Sequence, residues 1–345
     1  MANLPLEGKI ALVAGATRGA GRGIARMLGA AGAVVYCTGR SGGGHVSPMG
    51  RPETIEETAA LVDQHGGEGV AVRTDHTRED EVAALVARIE AERGRLDILV
   101  NDVWGGDPVI DWSAKFWELD IAKVRALVDQ AIMSHIITAR HAAPLMLRQN
   151  AGLIAEIGDG HFNGYRGQLL YDLVKSSVNR LAYAMAWDLE GTGVTALGLC
   201  PGFLRSEAVL GHFGVTEQTW RDAIAKDPFF AESESPFFAG RAVAALAADP
   251  HVHRKAGQVL FAADVAEEYG FTDVDGRLPA FHPMFARVTA ELAEKDGDLD
   301  QHERFLVHAR YMQIHREPAQ ADRARRLAAR LGFADRGAGL GVASG

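Results

Sequence analysis

The sequence predicts an α/β fold, a doubly wound parallel sheet of about seven strands with helices on both faces. Three observations predict it. Short apolar runs alternate with longer amphipathic stretches over residues 9–264. Those runs lack polar alternation, as strands covered on both faces do. The first run passes directly into a glycine-rich turn and then a helical pattern, the junction that such folds place at a phosphate.

The elements follow in order. Lys9 to Ala14 is the first strand, and Gly15-Ala16-Thr17-Arg18-Gly19-Ala20-Gly21-Arg22-Gly23 opens a helix. Helix dipole and free N–H groups attract an anion there, and glycines let a pyrophosphate approach the backbone. Ala33 to Thr38 is the second strand, ending in Gly39-Arg40-Ser41. The position past this strand faces the adenosine ribose; an acid there favours NAD, an arginine NADP. With no acid between Val34 and Ser41, Arg40 and Arg18 favour NADP(H) over NAD(H), beside Thr17, Ala20, Thr38 and Ser41. Residues 41–51 form a Gly/Ser/Pro-rich insertion, and Pro52 opens a helix to about His65.

Val70 to Arg73 is the third strand, ending at Asp75-His76, where an adenine would be met. A helix spans 78–93, and Leu96 to Val100 is a strand ending at Asn101. An aromatic, glycine-rich loop holds Trp104 and Trp112, and a long helix spans 116–149, with Leu127, Ala131, His135, Thr138 and Ala142 toward the sheet. A strand over 153–157, a helix over 168–190 and a strand over 194–199 lead to Pro201-Gly202. Residues 203–233 read as a substrate-covering loop, a helix follows over 236–248, and Gln258 to Phe261 is the last strand. Residues 1–281 form this domain, and 282–345 a charged helical tail with a disordered end.

Hydrophobic residues make up 47% of the chain, enough for a large core. The net charge is −9 and no basic stripe with aromatics occurs, which excludes nucleic acid as a partner. Cys37 and Cys200, the two cysteines, lie in apolar runs and read as free thiols of a reducing compartment. No leader or membrane span is evident, so a cytoplasmic protein is expected. His251-x-His253 lacks a third partner, and no metal is expected.

Tyr171 and Lys175 are four apart on a helix, so they share one face. A nearby ammonium favours the phenolate and makes a tyrosine usable as an acid or base near neutral pH.

The order Gly15-x-x-x-Gly19-x-Gly21, Asp75, Asn101, Tyr171-x-x-x-Lys175 and Pro201-Gly202 resembles the short-chain dehydrogenase/reductase family over about residues 6–264. Gly257 to Arg277 resembles one branch of it. The resemblance implies a Rossmann fold, an oxidoreductase, and a homodimer or homotetramer formed through the helices over 116–149 and 168–190. It implies Tyr171 as acid/base, Lys175 on the nicotinamide ribose, and Gly15, Gly19 and Gly21 on the pyrophosphate. Asp75 would touch adenine, and Asn101 would line the cofactor site. Pro201, Gly202 and Ser206 would hold the carboxamide. A small-molecule substrate, a bulky apolar carbonyl or alcohol, would meet Trp104, Phe203, His161 and Tyr165; Trp112, Phe213, Trp220, Phe229 and Phe230 are further lining candidates.

The chain departs from the pattern where the family carries a serine, twelve or thirteen residues before the tyrosine; here stand Asp159 and Gly158. The family's helix asparagine falls at Asp129 or Gln130, and Asn101 is followed by Asp102-Val103-Trp104. An ionised Asp159 accepts hydrogen bonds but cannot donate one to a carbonyl. Three readings stay open: Asp159 is kept protonated and donates; the substrate is an imine or iminium that Asp159 or Asp129 stabilises; or Asp159 caps its loop. An NADP(H)-binding protein with lost or non-redox activity is the remaining alternative.

Overall fold

The computed structural model describes residues 4–45, 47, 49–160, 168–281 and 284. Among them, seven strands form one parallel sheet in the order β3-β2-β1-β4-β5-β6-β7. They are β1 (Ile10–Ala14), β2 (Val34–Gly39), β3 (Glu68–Arg73), β4 (Ile98–Asn101), β5 (Gly152–Ile157), β6 (Val194–Cys200) and β7 (Val259–Phe261). The doubly wound sheet predicted from the sequence is therefore present, with strand ends shifted by one or two residues. The order reverses between β1 and β4, and such a reversal opens a crevice at the carboxyl ends of the strands.

Helices cover both faces. On one side lie α1 (Gly19–Ala30), α8 (Pro236–Ala248) and α9 (Ala262–Tyr269), whose Ile24, Leu28, Phe238 and Leu246 pack on Val13, Val35 and Val100. There α1 and α8 meet backbone to backbone: a Cβ on Gly23 would lie 2.1 Å from the Pro236 carbonyl oxygen. On the other side α3 (Glu79–Arg93) and α5 (Ser134–Arg148) pack Leu85, Ile89, Leu145 and Met146 on Leu12, Leu99 and Ile154. The helix α2 (Ile55–Gln64) starts later than Pro52, because Thr54 caps it reciprocally with Glu57.

The long helix expected over 116–149 is divided. A 3-10 turn (Phe116–Glu118) precedes α4 (Ile121–Val128), which Asp120 caps. A π turn (Asp129–Met133) then joins α4 to α5. A π turn inserts one residue into the helical register and so rotates the side chains beyond it about the helix axis. The sheet-facing set Leu127, Ala131, His135, Thr138 and Ala142 is buried as expected.

The segment 203–233 is a small unit of its own, with α7 (Glu207–Phe213) and two 3-10 turns around Trp220, Ala223 and Phe230. Trp220 and Phe230, expected as lining residues, are instead its interior. The fully buried Arg205 ties it down: its guanidinium lies 4.3 Å from the Trp220 ring centre and donates to Glu217 and the Ser233 carbonyl. The last long helix, α6 (Leu169–Asp188), carries Tyr171 and Lys175. The tail 282–345, Met284 apart, lies outside the described residues. Among the described residues, no helix is long and apolar enough to cross a membrane.

Candidate active site

A cleft of about 1320 Å³ opens at the carboxyl ends of the strands. The glycine loop after β1 forms one wall. Gly15 has φ +91°, and a Cβ there would lie 2.3 Å from the Asp102 carbonyl oxygen, so only glycine lets this loop close on the β4 end. Gly19 lies at the first turn of α1, and its N–H donates to Glu207 Oε2 at 2.8 Å. That carboxylate places a negative group at a helix N-terminus, where an anion is favoured. The cradle therefore fits a dinucleotide phosphate, which Gly15, Thr17, Gly19 and Ala20 would hold.

Arg40 lines the same end beside Asp75 and makes no hydrogen bond with a described residue. Arg18 also lines the cleft, but it donates to Glu53 and Ser47. Asp75 accepts from the Thr77 N–H and hydroxyl, which fixes its carboxylate at the rim. His76 is buried between the Thr38 and Thr138 hydroxyls, and burial pushes its pKa down to about 4.

At the other end, Gln168 caps α6 by accepting from the Leu170 and Tyr171 N–H groups. Tyr171, Lys175 and Asn179 recur every four residues and share one face. Asn179 donates to the Gly160 carbonyl, and Cys200 Sγ lies 3.2 Å from the same oxygen. These contacts pin the turn after β5, and Asp159 on that turn accepts a hydrogen bond from the Tyr171 hydroxyl. Of the two candidates at the family's serine position, Asp159 is thus the one aimed at the tyrosine.

Lys175 Nζ lies 4.1 Å from the Trp104 ring centre. Trp104 meets Tyr171 edge-on at 5.8 Å, and Trp112 flanks Tyr171 at 5.1 Å. Under Lys175 sits Asp102; burial pushes its carboxyl up to about 7, while Lys175 pulls it down. Deeper still, His135 Nδ1 contacts Glu156 at 2.6 Å, and its Nε2 contacts the Val103 carbonyl at 3.1 Å. Burial would discharge that ring, but Glu156 overcomes it and holds the His135 pKa above its usual value. Asn101 donates to Glu156 at 2.6 Å.

The cleft thus brings together Gly15, Thr17, Arg18, Gly19, Ala20, Arg40, Ser41, Asp75, His76, Trp104, Asp159, Tyr171, Lys175, Pro201, Gly202, Phe203 and Ser206. Four expected residues stand elsewhere. Asp129 is exposed and outside the lining; the π turn directs Gln130 inward instead, where it donates to the Trp104 carbonyl. Asn101 and Thr38 point into the interior to serve Glu156 and His76, and Gly21 is packed against Gly15. His161 and Tyr165 lie outside the described residues. Asp102, Asp107, Gln130 and Phe281 join the lining without having been expected as cleft residues, Gln130 only as the alternative to Asp129. Glu207, outside the lining but hydrogen-bonded to the glycine loop, was also not expected; its one signal is an acid directly after Ser206.

The family model for short chain dehydrogenases matches residues 9–211. The chain belongs to that family. It is 34% identical to dehydrogenase/reductase SDR family member 1 of Mus musculus, over 79% of this chain and 85% of that protein. It is 30% identical to the 7alpha-hydroxysteroid dehydrogenase of Escherichia coli K12, over 60% of this chain and 75% of that one. A crystal structure of a short chain dehydrogenase from Mycobacterium thermoresistibile superposes with a TM-score of 0.67 at 23% identity, covering 80% of this chain and 92% of that one. That last likeness speaks for the fold alone. Membership makes the chain an oxidoreductase of the short-chain dehydrogenase family and implies a nicotinamide cofactor.

Proposed function

We propose that this short-chain dehydrogenase is an NADP(H)-dependent oxidoreductase whose acid/base is Tyr171. The observation that carries this is the meeting of Tyr171, Lys175 and the glycine loop in one cleft that Arg40 also lines. The bound cofactor supplies or takes the hydride. Arg40, which has no hydrogen-bond partner among the described residues, would pair with a 2′-phosphate. Tyr171 holds the mobile proton, and Lys175 biases it toward ionisation. Phe203, Phe213, Phe229 and Trp112 present apolar faces that suit a bulky substrate and exclude water.

NADPH oxidation over a panel of aryl ketones and aldehydes tests this reading. Wild type should turn over at least one of them, and Tyr171→Phe should abolish ketone reduction. Arg40→Ala should raise the KM for NADPH by about tenfold and leave that for NADH nearly unchanged. A Tyr171→Phe variant as active as wild type removes the assigned acid; equal effects of Arg40→Ala on both cofactors remove the NADP(H) preference.

A further inference from the structure

The substrate half of the cleft is acidic as well as aromatic. Among the described residues, Asp107, Asp159 and Asp227 line it, with Lys175 and His212 as its basic groups. Lys175 lies on the Trp104 face and within the field of Asp102. Arg51, near Asp107, is bound to Glu53 at 2.6 Å. A carbonyl oxygen entering here develops negative charge beside Asp159, the carboxylate to which the Tyr171 hydroxyl donates. A cation reverses each of these terms. The carboxylate attracts it, and an aromatic face stabilises it. Trp112, beside Tyr171 and 58% exposed, offers such a face.

Resting on the oxidoreductase reading above, we infer that the preferred substrate carries its reacting carbon in a C=N⁺ bond, an iminium attached to an apolar ring system, with Asp159 as the counter-ion. The step balances without a proton. The iminium carbon gains the hydride from the reduced nicotinamide dinucleotide, and a C–H bond forms. The C=N π pair becomes the nitrogen lone pair, so the cation leaves as a neutral amine and the dinucleotide leaves oxidised. Tyr171 can then keep its hydrogen bond to Asp159 through the hydride transfer. Oxidation of a tertiary amine is the same step reversed.

The test compares N-methyl-dihydroisoquinolinium with tetralone, a neutral ketone on a similar bicyclic frame. Binding is followed by quenching of tryptophan fluorescence without cofactor, and turnover by NADPH oxidation. Wild type should bind the cation about tenfold more tightly than the ketone and reduce it with at least that advantage in kcat/KM. Asp159→Ser should reverse the preference, and Asp159→Asn, which keeps the shape without the charge, should lose the cation's advantage in binding. Equal binding of both probes by wild type, or a preference for tetralone, overturns the inference while leaving the oxidoreductase standing. An unchanged preference in Asp159→Asn also overturns it. Tight NADPH binding with no turnover of either probe or of the carbonyl panel overturns both.

Discussion

At the residue scale, the central pair is Tyr171 and Asp159. A serine at the latter position donates and stays neutral, whereas Asp159 accepts a hydrogen bond from the phenol. Replacing it with serine frees that proton for a carbonyl oxygen, so Asp159→Ser should raise kcat on ketones by about tenfold or more. A variant slower on ketones would show that the carboxylate itself serves carbonyl chemistry.

Glu207 is the second residue of interest. Its carboxylate sits on the Gly19 N–H that a pyrophosphate would use under the proposed function, and it would repel that phosphate. Glu207→Gln should therefore tighten NADPH binding by several-fold in a calorimetric titration, most strongly at low salt. Unchanged or weaker binding would mean that the contact is incidental to cofactor entry.

At the scale of elements, the 203–233 unit is held by charge in its interior. Truncating one member of a buried ion network leaves its partners uncompensated, at a cost of about 3–5 kcal/mol. Arg205→Ala leaves Glu217 and Asp273 without their cation, and urea denaturation should register a loss on that order.

Next to this unit, Glu234 lies beneath Gly202 and carries a pH signature. Burial pushes its carboxyl up to about 8, although the Gly202 N–H pulls it down, and its Oε1 has no hydrogen-bond partner among the described residues. A carboxyl whose folded pKa lies above its unfolded value binds more protons when folded. Its contribution is complete below about pH 4 and declines as pH rises toward 8. The melting temperature of Glu234→Gln should accordingly fall less than that of wild type between pH 5 and pH 8. Parallel pH profiles would show that Glu234 is ionised in the fold.

At the scale of the whole molecule, the fold was legible because its strands are buried on both faces and so spell continuous apolar runs. The cradle was legible because Gly15 must approach Asp102 so closely that no side chain fits. What the sequence hid was register and direction. The apolar spacing along 116–149 is compatible with one unbroken helix, and nothing in it announces the π turn that puts Gln130 rather than Asp129 in the cleft. Asn101 and Thr38 stand at strand ends beside the cleft, yet buried Glu156 and His76 need their hydrogen bonds more than a ligand does. The aromatics of 203–233 could not be divided from composition into lining (Phe213, Phe229) and interior (Trp220, Phe230).

Assembly belongs to this scale too. Leu169, Leu173, Tyr183 and Trp187 of α6 are exposed, as are Ile121 of α4 and Ile136 of α5. Such a surface is an association site more often than a bare one. We expect a homodimer or homotetramer through these helices, with Leu173→Glu and Trp187→Glu together shifting the mass in light scattering toward the monomer. A wild-type monomer at micromolar concentration would contradict it.

The most direct measurement of the central proposal, hydride transfer at Tyr171 and Asp159, tracks the hydrogen itself. NADPH carrying two deuterons at nicotinamide C4 is mixed with the protein and either the iminium probe or a carbonyl from the panel, and the product is weighed by mass spectrometry. We predict a product heavier by one deuterium, formed with wild type and, for the carbonyl, not with Tyr171→Phe. Product lacking the label, or labelled equally by the Tyr171→Phe variant acting on the carbonyl, would contradict it.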